Sequence, residues 1–251
     1  MSKFLTVPIL TNKRRQNWIL INPKISKNEI KLRLKNADLL ISDIDDTDAP
    51  SPAKLMAYYS LLNPKFFFNL KFQSWCLFTV KNLLSKGKRA EGKVWRAFID
   101  KFLNDSQRLN FYLKKFNISY IESLQYPGVK EFYEMIPRAK KVYITRNIKE
   151  IAVLFQKINK FDDILCKQFN KIQAVTSVLK KAPDVQNIIL KGDSEEDLEL
   201  LEYLRDLVDK RKISNVLGIY VVPSIRRINL NFDINISRNY LGICQLSSNK
   251  G

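Results

Sequence analysis

The 251-residue sequence contains no histidine, which narrows the chemistry open to it. Without histidine, the chain cannot by itself form a Ser-His-Asp or Cys-His nucleophile system, nor a histidine-ligated zinc site. Its three cysteines, Cys76, Cys166 and Cys244, are odd in number and lie far apart in the sequence. This pattern predicts neither a disulfide framework nor a cysteine-pair zinc site. Any acid–base chemistry must therefore use carboxylates, lysines or tyrosines.

The sequence also lacks a long apolar run. Its most apolar segment, residues 66–80, is interrupted by Lys71 and is shorter than the roughly 20 apolar residues of a transmembrane helix. No secretory signal is visible, because the short apolar stretch at the N-terminus is broken by Pro8 and followed by basic residues. We therefore predict a cytoplasmic protein in which residues 66–80 form a buried helix. A helix lying on a membrane surface is the alternative.

Charge is abundant but unevenly distributed, with a formal net charge of +18. Residues 1–36 contain nine lysines and arginines against one acid, and residues 51–126 contain thirteen against four. Between these basic blocks, residues 37–50 hold five aspartates and no basic residue. The basic blocks either form a solvated surface or attract an anionic substrate or polymer.

Four apolar runs of strand length predict the core of the fold. They end near residues 43, 145, 192 and 222, and stretches with a helical pattern alternate with the last three. A strand that is apolar on both faces is typical of the centre of a parallel sheet. The alternation of strand and helix therefore predicts an α/β fold with a doubly wound parallel sheet.

The first three of these runs end in polar residues, namely Asp43, Thr145 and Asp193. In doubly wound sheets the ligand binds at the carboxyl ends of the strands, near a switch point in the strand order. The three strand ends together therefore predict a functional site. Asp46 and Asp48 follow the first strand as well, and we interpret them as solvated.

Four segments together resemble the motifs of haloacid dehalogenase-like (HAD) hydrolases. "DIDDT", residues 43–47, is similar to the first motif, and "VYITRN", residues 142–147, is similar to the second. Lys171 opens a helical stretch and resembles the third motif, and "GDSEED", residues 192–197, resembles the fourth. The four segments follow one another in the same order as the motifs of the family. The resemblance implies a Rossmann-like core with an inserted, mostly helical cap.

The resemblance also implies an activity, the hydrolysis of phosphomonoesters by a phosphatase that forms an aspartyl-phosphate. Asp43 would attack phosphorus. Asp45 would protonate the leaving oxygen and then deprotonate the hydrolytic water. Thr145 and Lys171 would hold the transferring phosphoryl group.

The cofactor implied by the resemblance is Mg²⁺. Its ligands would be Asp43, the backbone carbonyl of Asp45, and Asp193, with Asp197 as a further ligand or an orienting group. The cation and Lys171 would explain why so many aspartates are tolerated together.

Several assignments remain open in the sequence alone. Lys167 and Lys180 are rivals for the role of the third-motif lysine. Thr47, Arg146 and Asn147 are candidates for substrate binding. Thr47 could equally cap the turn or helix that follows it, and Asn147 could cap the helix after the second motif.

The spacing of the motifs locates an insertion after the first one, because Thr47 to Pro127 spans 80 residues and Thr145 to Lys171 only 26. The predicted units are a basic N-terminal extension (1–36), a core (37–50 and 127–222), a helical cap (51–126) and a C-terminal β extension (223–251). Within the last unit, residues 228–236 alternate between apolar and polar. This period-two pattern predicts a half-exposed strand, antiparallel at a sheet edge.

The substrate is the least determined property. A helical cap usually encloses a small molecule, so our leading hypothesis is a Mg²⁺-dependent phosphatase of a small phosphorylated metabolite. The alternative is a protein that binds nucleic acid or acidic lipid, or that dephosphorylates polynucleotide ends or lipid head groups, through its basic cap and N-terminal arm. The sequence predicts no oligomeric state.

Overall fold

A mixed sheet of eight strands organises the protein, as seen in a computed structural model. The structure describes residues 5–8, 18–61, 69–86, 94, 97–98, 110, 112–114, 116–168 and 170–248. The strands are β1 (Leu5–Pro8), β2 (Trp18–Ile21), β3 (Leu39–Ser42), β4 (Lys140–Ile144), β5 (Asp163–Leu165), β6 (Asn187–Gly192), β7 (Asn215–Val222) and β8 (Ile234–Ser237). The helices with assigned bounds are α1 (Lys27–Lys35), α2 (Pro52–Leu61), α3 (Leu70–Lys86), α4 (Ile118–Leu124), α5 (Val129–Glu134), α6 (Lys149–Asn159), α7 (Lys171–Lys181), α8 (Glu195–Asp209) and α9 (Leu241–Ser248).

The strand order is β1-β2-β8-β7-β6-β3-β4-β5. Strands β3 to β8 pair in parallel, whereas β1 pairs antiparallel with β2, and β2 pairs antiparallel with β8. From β3 the chain builds outward to β4 and β5, then crosses back to β6 on the other side of β3. The order therefore reverses at β3, which creates a crevice at its carboxyl end. The predicted doubly wound α/β fold is confirmed.

Strand β3 is buried on both faces, as its apolar sequence predicts. Leu40 packs into one hydrophobic cluster, with side chains from α1, α5 and α6. Leu39 and Ile41 point to the opposite face and pack with side chains of α7 and α8. Because successive side chains alternate across a strand, helices on both faces are needed to keep water from this sequence.

Both ends of the chain contribute to the sheet. Ile19 of β2 lies opposite Ile236 of β8, so the predicted N-terminal extension supplies strands to the same sheet as the core. The prediction of a half-exposed strand at a sheet edge over residues 228–236 is wrong. Strand β8 is short and fully buried, and it lies between β7 and β2. Buried Asn235 exchanges hydrogen bonds with the backbone of Asn229, so this polar residue of the pattern is paired within the protein instead of solvated, whereas Asn231 is exposed.

The described part of residues 51–126 is largely helical and includes α2, α3 and α4. Helix α3 buries Phe72 and Trp75 on one face, and the Trp75 indole donates to the Val94 carbonyl at 3.0 Å. Residues 62–68, 87–93 and 99–109 lie outside the described residues, so the predicted cap is described in part. Among the described helices, none combines the length and apolar character needed to cross a lipid bilayer.

Candidate active site

Asp43 occupies the carboxyl end of the buried central strand β3 and is only 3% exposed. Its backbone N–H donates to the Lys191 carbonyl of the neighbouring β6 at 3.1 Å, which continues the parallel pairing past the strand. Its side-chain Oδ1 accepts a hydrogen bond from the Ile44 N–H at 2.6 Å. The carboxylate is therefore held at the crevice that the reversal of strand order creates.

Lys171 is the first residue of α7, and Asn170 caps this helix by accepting from the Gln173 N–H. Its ammonium group is buried and donates to Asp43 Oδ2 at 2.7 Å and to Asp197 Oδ1 at 2.6 Å. Burial lowers the pKa of Lys171, but the carboxylates of Asp197 and Asp43 raise it by more, so that the pKa lies above its usual value. The ammonium therefore stays protonated between the two aspartates.

The rival lysines are placed elsewhere, since Lys167 and Lys180 are both exposed to solvent. Lys180 lies near the far end of α7 from Lys171. Among these three lysines, the structure therefore brings Lys171 to Asp43.

Asp197 orients the fourth-motif loop. Its Oδ2 accepts from the N–H groups of Asp193 and Ser194 at 3.1 Å each and from the Ser194 hydroxyl at 2.6 Å. Burial favours its neutral form, but Lys171 and Ser194 more than offset burial and lower the pKa of Asp197. A Cβ on Gly192 would overlap the Asp197 carboxyl group. The glycine before Asp193 is therefore required by this close approach.

Asp43, Asp193 and Asp197 form a carboxylate cluster, with one oxygen from each lying within 4.8 Å of the others. Burial raises the pKa of Asp193 well above its usual value, and Asp197 and Asp43 add to the effect. Three carboxylates against one ammonium leave excess negative charge, which a divalent cation would balance. Oxygen donors of this kind suit Mg²⁺. The residues therefore fit the expected metal.

Asp45 presents an unsatisfied oxygen. Its Oδ2 accepts from the Asn147 amide at 2.8 Å, whereas its Oδ1 is buried and has no hydrogen-bond partner among the described residues. Burial and the Asp43 carboxylate raise the pKa of Asp45 to about 6. A carboxyl group with this pKa can both give and take a proton near neutral pH.

The second motif lies against the first. Thr145 is fully buried at the end of β4, and its hydroxyl accepts from the Asn147 N–H at 3.1 Å. Asn147 is not the cap of α6, since Ile148 occupies that position. The hydrogen bond from Asn147 to Asp45 instead connects the two motifs.

Arg146 and Thr47 also have partners within the site. Arg146 forms an ion pair with Glu196 at 3.2 Å. Burial lowers the pKa of Arg146, but the nearby acids, Asp43 first among them, raise it more. Thr47 is buried and donates to Asp193 Oδ1 at 3.3 Å. It does not cap α2, which begins later, at Pro52.

The interpretation of Asp48 as solvated is wrong. Asp48 and Lys191 are both 0% exposed and form an ion pair with each other. The hydroxyls of Tyr133 and Tyr143 also donate to the Asp48 carboxylate, Tyr143 at 2.6 Å. The lysine in the apolar strand "NIILKG" is the signal for this cluster, because a lysine buried in a central strand requires a partner.

Asp46 is also not freely solvated. Its carboxylate accepts from Lys54 at 2.8 Å and from Arg238 at 2.7 Å. Its backbone has a positive φ of 56°, a conformation that aspartate tolerates better than most residues. Arg238 was not among the predicted site residues.

Comparison with known proteins finds solved structures of similar fold, all with low sequence identity to this chain. No protein-family model matches the chain, and no curated protein matches its sequence. The structure of DsGPDH of Dunaliella salina matches with a TM-score of 0.61 at 15% identity, over 86% of this chain and 37% of that one. The chain thus spans little more than a third of that protein's length.

Two further matches are structures of a putative hydrolase and of a phosphatase. The putative HAD-hydrolase YfnB of Bacillus subtilis, bound to magnesium, has a TM-score of 0.46 at 12% identity, over 85% of this chain and 99% of that one. A phospho-aspartyl intermediate analogue of phosphoserine phosphatase has a TM-score of 0.47 at 12% identity, over 84% and 99%. At such identities the likeness concerns the fold alone. The chain is a mixed α/β protein, and a putative HAD-hydrolase and a phosphoserine phosphatase are among its structural neighbours. Its resemblance to HAD-like hydrolases rests on the four motif segments of the sequence.

Proposed function

We propose that the protein is a Mg²⁺-dependent phosphatase that hydrolyses a small phosphorylated metabolite through an aspartyl-phosphate. The observation that carries this proposal is the buried ammonium of Lys171 between Asp43 and Asp197. A charged lysine held against a strand-end carboxylate lowers the repulsion that a phosphate dianion would meet there. The cysteine pattern predicts no disulfide framework, which suits a reducing compartment, and we infer that the enzyme works in the cytoplasm.

In the first step, an Asp43 oxygen attacks phosphorus and forms the acyl phosphate, while the bond from phosphorus to the leaving oxygen breaks. Asp45 gives its proton to that oxygen, so that an alcohol departs. The raised pKa of Asp45, about 6, supports this role. Thr145, Arg146 and Lys171 bind the oxygens of the phosphoryl group.

In the second step, Asp45 takes a proton from water as the water attacks phosphorus. The bond between phosphorus and Asp43 breaks, which releases inorganic phosphate and restores both carboxyl groups to their starting states. Asn147 orients Asp45 for both proton transfers through its 2.8 Å hydrogen bond. Thr47 is a further candidate for substrate binding, and its hydroxyl orients Asp193.

Mg²⁺, when bound, would neutralise charge on the phosphate and on the nucleophile. Asp43 and Asp193 would hold it together with the backbone carbonyl of Asp45. Asp197 already accepts from Lys171 and from the fourth-motif loop, so we assign it mainly an orienting role and keep direct ligation as the alternative.

The test of this function is hydrolysis of a panel of phosphomonoesters with and without Mg²⁺. We expect turnover that requires Mg²⁺ and is abolished in Asp43→Asn, because an amide does not attack phosphorus. Asp184→Asn is the matched control, since Asp184 is exposed and precedes β6, at the opposite end of that strand from Asp193. Near-native turnover by Asp43→Asn would overturn the mechanism.

Metal binding is tested separately by thermal unfolding. A ligand that binds only the folded protein raises the free energy of unfolding by about 2.7 kcal/mol when its concentration is 100 times its Kd. We expect Mg²⁺ to raise the Tm of the wild-type protein and to have little effect on Asp193→Asn. An equal shift in both proteins would exclude Asp193 as a ligand.

A second candidate function, association with an acidic lipid surface, is favoured by one face of α3. Leu70, Leu77, Val80 and Leu84 project from this helix and are 56–84% exposed. Residues seven apart share a helix face, and Lys71 and Lys81 are exposed on the same helix. Such a face suits a helix lying in a membrane interface that contains anionic lipids.

Vesicle co-sedimentation tests this candidate. We expect binding to vesicles containing phosphatidylserine and not to neutral vesicles, and its loss in the double variant Leu77→Ser/Leu84→Ser. Leu32→Ser is the control, because Leu32 is 58% exposed on a different helix. Retention of the double variant on acidic vesicles would show that the α3 face is not the binding surface.

A further inference from the structure

We propose that a pocket walled by Arg238 and Tyr126 receives the organic part of the substrate and selects an anionic oxygen group on it, a carboxylate or a second phosphate. This inference rests on the proposed function and names the substrate class. It concerns the C-terminal segment after β7, to which the four motifs assign no role.

The pocket has a volume of about 600 Å³, which is in the range of small-molecule sites. Its walls include Trp18, Tyr126, Ile225, Ser237, Arg238 and Asn239. Strands β7 and β8 run parallel to β6, and the lining residues Ile225, Arg238 and Asn239 come after their carboxyl ends. The pocket therefore lies at the same edge of the sheet as the aspartate cluster.

Two hydrogen-bonding atoms of residues that line the pocket are buried without a partner among the described residues. They are the Tyr126 hydroxyl and Arg238 Nε. The Arg238 guanidinium lies over the Tyr126 ring, with its central carbon 5.4 Å from the ring centroid. Tyr126 is 9% exposed, and an unmet donor at such a position costs free energy. An oxygen acceptor on a ligand would satisfy both groups.

The protonation states favour an acceptor. Burial raises the pKa of Tyr126 above its usual value, although Arg238 opposes this effect. The phenol therefore keeps its proton at neutral pH and can donate it in a hydrogen bond. An arginine is always protonated, so Nε is also a donor.

The charge of the Arg238 guanidinium favours an anionic acceptor. Its Nη2 is held by the Asp46 carboxylate, whereas its Nε has no partner among the described residues. A carboxylate or phosphate oxygen forms a stronger hydrogen bond with such a charged donor than a neutral oxygen does.

The pocket is joined to the first motif through two contacts. Arg238 Nη2 donates to Asp46 at 2.7 Å, and the Tyr126 N–H donates to the Asp48 carbonyl at 2.8 Å. Asp46 directly follows Asp45, the proposed acid. A substrate whose phosphate reaches Asp43 can therefore extend its organic part toward Arg238.

The experiment compares propyl phosphate with two analogues that carry a terminal carboxylate or a second phosphate on the same three-carbon chain. A hydrogen bond to a charged group contributes enough to change kcat/KM by about tenfold or more. We expect the wild-type enzyme to prefer one or both anionic analogues over propyl phosphate by at least that factor. Arg238→Gln and Tyr126→Phe should remove most of this preference, measured in each variant as the ratio of kcat/KM for an anionic analogue to kcat/KM for propyl phosphate.

Arg227→Gln is the matched control, because Arg227 is exposed at the same edge and does not line the pocket. Equal kcat/KM for all three compounds in the wild-type enzyme would overturn the inference. Equal losses for all three compounds in Tyr126→Phe would also overturn it. A preference for one anionic analogue over the other decides between carboxylate and phosphate as the selected group.

Calorimetric titration of the same compounds separates this inference from the proposed function. If no compound is hydrolysed, the phosphatase proposal fails. Binding of an anionic analogue that Arg238→Gln and Tyr126→Phe weaken about tenfold would still support the pocket. Binding that neither variant changes would refute the pocket even if hydrolysis is observed.

Discussion

The ammonium of Lys171 lies 2.7 Å from Oδ2 of Asp43, and both side chains are almost completely buried. These residues are 128 positions apart in the sequence, and two different elements, α7 and β3, bring them together. The pair holds a positive charge at the end of the central strand, where charge on both the nucleophile and a bound phosphate would need to be offset.

Replacing Lys171 by methionine should destabilise the metal-free protein, because Asp43 and Asp197 would remain as buried, unpaired carboxylates. Breaking a buried ion pair typically costs about 3–5 kcal/mol. Urea unfolding measures this cost. The control Lys180→Met removes an exposed lysine from the same helix and should change stability by about 0.5 kcal/mol or less. Equal effects would mean that the Lys171 pair is not formed.

Asp45→Asn should lower kcat by about 10²–10⁴-fold, the usual contribution of a general acid–base residue. The nucleophile remains in this variant, and release of the phosphoryl group is also slowed. Intact-mass measurement during turnover should therefore detect phosphorylated protein in Asp45→Asn and none in Asp43→Asn. Phosphorylation of the Asp43→Asn protein would assign the nucleophile to another residue.

Lys191→Met should be strongly destabilising, by about 3–5 kcal/mol, because it leaves the Asp48 carboxylate unpaired in a fully buried cluster. The double variant Lys191→Met/Asp48→Asn should recover part of this loss, since the amide carries no charge. A double-mutant cycle in urea measures the coupling. If the losses of stability in the two single variants simply add in the double variant, the two residues do not interact. The control is Lys212→Met, which removes an exposed lysine.

The protein should lose stability as the pH rises above 10. Burial, and next the Asp48 carboxylate, raise the pKa values of Tyr133 and Tyr143 well above the ordinary 10.0, and Tyr240 is affected in the same way. Because their pKa values are higher in the folded state, the stabilising contribution of these phenols is complete below pH 10 and is lost as the pH rises above it. Lys191 changes the stability in the opposite direction, since burial lowers its pKa. We expect the three phenols to outweigh this single lysine.

Tyrosinate absorbance and circular dichroism, followed together during an alkaline titration, check this expectation. The three buried phenols should ionise only as the fold is lost. The variant Tyr143→Phe should show one tyrosine fewer in that late phase. Complete ionisation near pH 10 with an intact fold would contradict the burial of the cluster.

Local sequence patterns predicted the parts of the fold that depend on local physics. The apolar run of β3 predicted a strand buried on both faces, since only a covered central strand removes such residues from water. The polar residue at the end of each strand predicted the edge at which Asp43, Thr145 and Asp193 meet. Lys171 was distinguishable as the start of a helix, although its rivals could not be excluded without the structure.

The same patterns failed where long-range pairing decided the outcome. The alternation in residues 228–236 predicted a half-exposed strand at a sheet edge, but β8 is covered by β7 and β2 on its two sides. The hydrogen bonds of Asn235 to the Asn229 backbone are what make a buried asparagine tolerable there. A period-two pattern shows that the two faces of a strand differ in polarity. It does not show whether the polar residues contact solvent or hydrogen-bond partners inside the protein.

The sequence by itself determined the α/β class, the order of the four motif segments and the acidic strand end, because these follow from hydrophobic patterning and from residue types close together in the chain. Only the tertiary structure decided that Lys191 neutralises Asp48 across 143 positions, and that Arg238 reaches Asp46 across 192. A buried charge needs a partner of opposite sign, but which partner it finds depends on how the strands are ordered in the sheet, and that order is a property of the whole chain.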